Sequence, residues 1–381
     1  MSIILFLIIL LVLVLSHEFG HFVVSKLSGI RVEEFGFGFP PRAFGVKKGD
    51  TVYSLNWLPF GGFVRLLGEE PEEEVSAEDK EHSFSHKPIW KRLLVVIAGV
   101  IFNLLLAWIL IVIGFLSGLP MPVGAAPTGA VIGESRLVIT EIRHGSPAEK
   151  AGLMAADTVT AVTDETDKMI LAPLESSPRA DSLTGLAPIS PDSLVAFVQS
   201  RTGHDLLFSV RRSQKELLLH ATPAEGVVPG RAAIGVGLDS IAAIRLPLPR
   251  AILEAGKLTA SLTVGTVQAL ASLVADIFRG AATREAITGP IGIIALVGTA
   301  RSFGWIFLLG LTAIISINLA VINLLPIPAL DGGHVLFLII EALRGKPLSA
   351  KVRGKASAVC FIALIALMVL VTISDILKLL S

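Results

Sequence analysis

The chain has 381 residues, of which 52% are hydrophobic and only 17% charged, with a mean hydropathy of +0.74. A soluble domain of this length carries about 25% charged residues, so the composition points to a membrane protein with a soluble portion. Thirty-two basic residues balance 32 acidic ones, which gives no reason to expect nucleic-acid binding, and the single cysteine, Cys360, excludes an intrachain disulfide and a cysteine-based zinc site.

About 20 helical residues cross a hydrocarbon core ~30 Å thick. The first apolar run, residues 3–24, has no basic residue ahead of it and no small-x-small cleavage site, and it stays apolar beyond His21. It reads as a retained transmembrane helix over residues 1–26 rather than a signal peptide. Inside it stands Ser16-His17-Glu18-Phe19-Gly20-His21. Ionisable groups at the centre of a bilayer cost about 2.5–3.5 kcal/mol per charge on insertion scales and persist only with partners. On a helix His17 and His21 lie one turn apart on one face, so both rings reach one metal ion. Glu18 is rotated by about 100° and is placed beside the open coordination position, where a water would be.

Residues 31–67 contain Gly36-Phe37-Gly38-Phe39-Pro40-Pro41 and Pro59-Phe60-Gly61-Gly62-Phe63-Val64. Lys48-Gly49-Asp50 reads as a turn between strands at 43–46 and 51–57, and the aromatic and glycine content suits a small apolar sheet dipping into the membrane. Residues 68–92 read as a cytoplasmic loop whose acidic cluster (Glu69, Glu70, Glu72, Glu73, Glu74) is solvated. A second span covers 93–117 and carries one conspicuous amide, Asn103, which serves either helix packing or a substrate backbone.

Residues 129–238 have the pattern of an α+β domain. Ser146-Pro147-Ala148-Glu149 is a capped helix start with Gly152 as its stop, Ser190 caps a second helix, and 206–212 with 216–221 read as a hairpin. Within 250–280, the stretch 258–275 has no charge but is rich in Ser, Thr and Gly and closely flanked by Lys257, Asp276 and Arg279, so it reads as a helix lying at the outer membrane surface. Gly289-Pro290-Ile291-Gly292 reads only as a turn.

The third span, within 303–343, is interrupted by Asn323-Leu324-Leu325-Pro326-Ile327-Pro328-Ala329-Leu330-Asp331-Gly332-Gly333-His334. Irregular backbone at membrane depth is tolerated only where protein or a water cavity shields it, which makes Asp331 the candidate third metal ligand. His334 is a rival, one turn further along and facing the cytoplasmic end. The last span covers 356–375. Lys87, Lys91 and Arg92 precede the second span, and Arg344, Lys346, Lys351, Arg353 and Lys355 the last, so both loops are expected in the cytoplasm and the N-terminus, central segment and C-terminus outside. His17 then lies about 15 residues, or about 22 Å, from the outer side. Asp331 is delivered to the same depth only if 258–275 does not cross. The expected architecture is a polytopic α-helical membrane protein with four transmembrane helices, a membrane-associated β-hairpin sheet and one extracytoplasmic α+β domain.

HEFGH in the first span, NLLPIPALDGG in a later one and the intervening outer domain together resemble the site-2 protease family of intramembrane metalloproteases, specifically the bacterial regulator-of-sigma-E type. The resemblance covers nearly the whole chain. It implies Zn2+ held by His17, His21 and Asp331, with Glu18 as the base that activates water. It also implies that the sheet bearing Gly36, Phe37 and Gly38 is membrane-reentrant and binds substrate as an added strand, that Asn323 touches substrate, and that 129–238 is a single PDZ domain. Partners would be the lipid bilayer and single-span membrane proteins such as anti-sigma factors or signal-peptide remnants, in the cell membrane. The chain departs from the family at Val100, where proline is frequent, at Ala156, where glycine is usual, and in the length of 164–189. The PDZ-like domain reads equally as a peptide-binding sensor or as a spacer that restricts access. Alternatives are a metal transporter, which has no use for Glu18 or the outer domain, and a catalytically inactive binding homologue.

Overall fold

The computed structural model describes residues 2–69, 75–164, 169–172, 187–212, 215–228, 230–280 and 289–380. It divides into two compact units, residues 1–113 with 252–300 and 308–381, and residues 114–251 with 301–307. Glu70, Glu72, Glu73 and Glu74 of the acidic cluster, and most of the long 164–189 segment, lie outside the described residues.

The first unit opens with helix α1 (Ser2–Leu27), whose buried residues Ile9, Leu13, His17 and Gly20 recur at helical spacing, so His17 belongs to the packed stripe. Gly29, at φ 70°, ends the helix in the left-handed region. Strands β1 (Val32–Lys48) and β2 (Thr51–Leu66) follow, joined by a turn at Gly49 with φ 62°. Both strands are long enough to pair twice. Residues 32–37 of β1 are flanked by 62–66 on one side and 52–55 on the other, and 42–48 pairs with 51–56. The product is a curled ribbon with 62–66 along one edge. Helix α2 (Ile89–Ser117) runs antiparallel to α1. A Cβ on Gly20 would lie 2.5 Å from the Ala98 carbonyl oxygen, and Ser16 Oγ donates to the Phe102 carbonyl at 3.2 Å. Close approach through small residues is what membrane helices use in place of a hydrophobic driving force.

The second unit is a sheet with two short helices. Strands β3 (Leu119–Pro122), β4 (Val131–Ile142), β5 (Thr158–Asp164), β6 (Met169–Ala172), β7 (Ala187–Pro188) and β12 (Val236–Arg245) follow the order β3-β12-β4-β5-β6-β7. Strand β8 (Leu206–Arg212) pairs with β5 and with β9 (Lys215–Ala221), while β10 (Ala224–Val228) and β11 (Arg231–Ala233) form a separate pair. Helix α3 (Pro147–Lys150) starts where Ser146 accepts the Glu149 N–H, and α4 (Pro191–Gln199) has a reciprocal capping box between Ser190 and Ser193. Leu137, Ile139, Val162, Leu194, Phe197 and Phe208 share one core. The expected hairpin is β8–β9.

The first unit resumes in α5 (Leu248–Arg279), α6 (Pro290–Ser302), α7 (Trp305–Asn323), α8 (Asp331–Arg344) and α9 (Ala350–Leu380). Among the described residues five helices, α1, α2, α5, α7 and α9, are long and apolar enough to cross a membrane, α5 being the least apolar of them. The sequence Gly289-Pro290-Ile291-Gly292 is not a bare turn. It opens the 13-residue α6, and its cap comes from far away: the buried Asp375 of α9 accepts the Gly289 and Gly292 N–H groups at 3.3 and 2.9 Å. Between α7 and α8 the chain is irregular, as the two prolines require. Gly332 and Gly333 are in the first turn of α8 with no positive φ. They are glycine because a Cβ on Gly332 would collide with the Leu324 and Leu325 carbonyls, and one on Gly333 with that of Ile327. The broken segment therefore lies directly on the start of α8.

Candidate active site

Three side chains from two segments converge. His17 Nε2 and His21 Nε2 are 3.2 Å apart, and Asp331 Oδ2 lies 3.0 Å from the first and 3.5 Å from the second. Oδ2 is buried with no hydrogen bond to it, although two imidazole nitrogens face it. Four tetrahedral ligands at Zn–N and Zn–O bonds of about 2.0–2.1 Å have edges of about 3.3–3.4 Å. The triangle of two imidazole nitrogens and one carboxylate oxygen fits a zinc ion in both dimensions and donor type.

Each histidine is oriented from α2. The Val95 carbonyl lies 2.8 Å from His21 Nδ1, so Nδ1 carries the proton there and Nε2 is left as the lone pair. Asn103 Nδ2 lies 3.3 Å from His17 Nδ1, and Asn103 is fully buried. Its backbone carbonyl accepts from Ser316 Oγ of α7 at 2.7 Å, tying α2 to α7 beside the site. Gly99 leaves the room: a Cβ there would come within 2.5 Å of His21 Nε2 and 2.6 Å of His17 Cε1.

Glu18 is not part of the three-atom cluster. It lines, with the three ligand candidates, a cavity of about 200 Å³ whose other walls include Gly62, Phe63, Val64, Leu66, Glu69 and His334. The sheet reaches the site through the second half of β2, where a Cβ on Gly62 would lie 3.1 Å from Glu18 Cγ. Gly36 and Phe37 are one strand away, paired with Phe63 and Gly62, and Gly38 follows at φ 77°. Asn323 ends α7, and neither it nor the 36–38 segment is among the described residues that wall this cavity. Asn318 accepts from Thr266 Oγ1 at 3.0 Å, a contact between α7 and α5. His334 faces the cavity but stands outside the cluster.

Glu69 differs from its sequence expectation. Instead of standing in a solvated loop it lines the cavity, and burial pushes its carboxyl up to about 7. Sequence reasoning also missed Val95, whose role is played by its backbone, and Gly99, whose only signal is a glycine in a run of bulky apolar residues. Below the site, the Arg92 guanidinium of α2 forms a two-pronged pair with Glu341 of α8 at 2.7 and 3.1 Å.

Residues 5–367 match Peptidase family M50. A putative zinc metalloprotease of Clostridium acetobutylicum is 30% identical over 373 residues, covering 96% of this chain and 94% of that protein. One of Clostridium perfringens is 34% identical, covering 96% of this chain and 95% of that protein. The regulator of sigma-W protease RasP of Bacillus subtilis is 28% identical, with 99% of each chain covered.

Proposed function

The chain belongs to peptidase family M50 and is a membrane zinc metalloprotease, and from that premise we propose that it hydrolyses peptide bonds within or beside transmembrane segments, with His17, His21 and Asp331 as zinc ligands and Glu18 as the general base. The observation that carries the assignment is the convergence of His17 Nε2, His21 Nε2 and Asp331 Oδ2 within 3.5 Å of one another on the wall of one cavity with Glu18. Bound zinc supplies a Lewis acid for the scissile carbonyl and lowers the pKa of water to about 7. The Glu18 carboxylate takes the proton from the attacking water and hands it to the departing amine. The Val95 carbonyl holds His21 in the tautomer that leaves Nε2 free, and Asn103 does the same for His17 once its amide presents Oδ1 instead of Nδ2 to Nδ1. Residues 62–66 form an edge of the curled sheet, and Gly62, Phe63, Val64 and Leu66 line the cavity, which favours an extended substrate segment added along that edge.

Four spans, with α5 at one surface, are supported by the directions of the helices. The start of α7 packs with the first half of α1, where Ile9 and Leu13 meet Leu308, Leu311 and Ile315, and both chains then converge on the metal cluster, so α1 and α7 are parallel. Helix α2 returns antiparallel to α1 and ends on the side where α7 begins. An even number of crossings must lie between them, and α6, with 13 residues and about 20 Å, is too short to supply the second. By the positive-inside rule that side is extracytoplasmic, and the metal cluster is nearer the cytoplasm. The second unit is read as an extracytoplasmic PDZ-like domain. A groove of about 80 Å³ between α4 and the β11–β12 segment, walled by Leu194, Val198, Ile234 and Val236, favours a peptide ligand over a bare spacer. The sigma-factor link of the relatives suggests membrane-bound regulators as substrates.

The test is the purified chain with a transmembrane reporter. Glu18→Gln is expected to keep zinc and lose cleavage, and Asp331→Ala to lose both. Cleavage retained by Glu18→Gln counts against the base assignment, and zinc retained at full occupancy by Asp331→Ala against the ligand set.

A further inference from the structure

We propose that Glu69 is a specificity-determining residue of the proteolytic site, a wall carboxylate that rejects acidic side chains beside the scissile bond. The inference rests on the proteolytic reading above and adds what that site selects. The position of Glu69 is built, not incidental. Strand β2 ends in a turn closed by the Glu69 N–H on the Leu66 carbonyl at 3.2 Å, with Gly68 at φ 68°. The turn is anchored on both sides, by the Leu67 N–H on the Arg31 carbonyl at 3.0 Å and the Phe84 N–H on the Leu67 carbonyl at 2.8 Å. Gly68 leaves no room for a side chain, since a Cβ there would run into Ser83. The carboxylate therefore follows directly from the edge segment 62–66 that walls the cavity.

Charge bookkeeping gives it a task. The described residues lining the cavity include three carboxylates, Glu18, Glu69 and Asp331, and no lysine or arginine. Three carboxyl groups outnumber the two charges of one divalent cation. Asp331 serves as a ligand and Glu18 as the base, so Glu69 is the carboxyl that has no cationic side chain opposite it among the described lining residues. Burial raises its carboxyl, and a divalent cation in the same cavity works in the opposite direction, towards the ionised form. A substrate chain laid along 62–66 presents its side chains to this wall. An aspartate or glutamate there meets a like charge in a confined space, whereas a neutral or basic residue does not.

The experiment uses the full chain in proteoliposomes and a set of transmembrane reporters carrying Ala, Asp or Lys on either side of the cleaved bond. The wild type is expected to cleave the Asp reporter at the sensitive position about tenfold more slowly in kcat/KM than the Ala reporter. Glu69→Gln brings the two within about twofold, and Glu69→Lys reverses the order, both with zinc content unchanged. Equal Asp-to-Ala ratios in wild type, Glu69→Gln and Glu69→Lys overturn the inference, as does loss of zinc in Glu69→Gln, which would make the residue part of the metal environment. A wild type that cleaves no reporter overturns the proteolytic reading and this inference with it.

Discussion

Asn103 of α2 holds its side-chain amide 3.3 Å from Nδ1 of His17, fully buried between the two helices. A ring that offers Nε2 to a metal carries its proton on Nδ1, and that proton needs an acceptor. Asn103 Oδ1 has no hydrogen bond, so the amide that serves a zinc-bound His17 is the one turned to present Oδ1 to Nδ1–H. Asn103→Leu removes the acceptor and is expected to weaken zinc affinity by about 10–100-fold, while Asn103→Asp, which keeps an oxygen in place, retains it. Competition with a chelator followed by metal analysis reads both. Equal affinity in wild type and Asn103→Leu would reduce Asn103 to a packing residue.

Gly99 tests the same interface from the steric side. Its absent Cβ is what lets both imidazoles lie against α2. Gly99→Ala places a methyl 2.5 Å from His21 Nε2 and is expected to abolish stoichiometric zinc binding along with cleavage. Gly114→Ala in the same helix meets only the tip of the flexible Leu119 side chain, at 2.8 Å, and is expected to keep its zinc as the wild type does. Metal content of the two purified variants decides, and similar values would remove Gly99 from the account.

These contacts mark where sequence reasoning stops. His17, Glu18 and His21 are legible because their spacing within one helix carries the geometry, and because an apolar span makes any polar group conspicuous. Asp331 is legible as a carboxylate after a double proline break. The Ser146 cap and the β8–β9 hairpin follow from local rules. Val95 and Glu69 leave no such trace. The first acts through its backbone and the second reaches the cavity through a turn anchored on Arg31 and Phe84. The α6 start depends on Asp375, 86 residues away from Gly289. Long-range partners, rather than periodicity, decide these positions.

Ala156 is the one non-glycine residue described with a positive φ, at 74°, immediately before the buried Asp157 that pairs with Arg212. A Cβ in the left-handed region costs about 1–2 kcal/mol, against which glycine loses about 0.5–1 kcal/mol in chain entropy. Ala156→Gly is therefore expected to stabilise the chain by up to about 1 kcal/mol, with cleavage of a transmembrane reporter unchanged. Thermal denaturation of the full chain in detergent reads the gain as a raised Tm. An unchanged or lower Tm means that the surrounding strands have already absorbed the strain.

Arg92 and Glu341 join α2, which orients both histidines, to α8, which opens with Asp331. The pair is two-pronged, with side chains only 7% and 14% exposed, and Arg92 also stacks on Phe84 at 5.3 Å. Removing one member leaves a buried charge without its partner, at a cost of about 3–5 kcal/mol, whereas replacing both by apolar residues of similar volume is far less costly. Arg92→Leu and Glu341→Leu are each expected to lower Tm and zinc occupancy together, because the helix carrying Asp331 loses its register against the one holding the rings. The double replacement is expected to recover most of the stability, and zinc occupancy with it if shape alone sets the register. A double mutant as destabilised as the sum of the singles would show that the two side chains act independently, and the pair would then have no part in bringing Asp331 to the histidines.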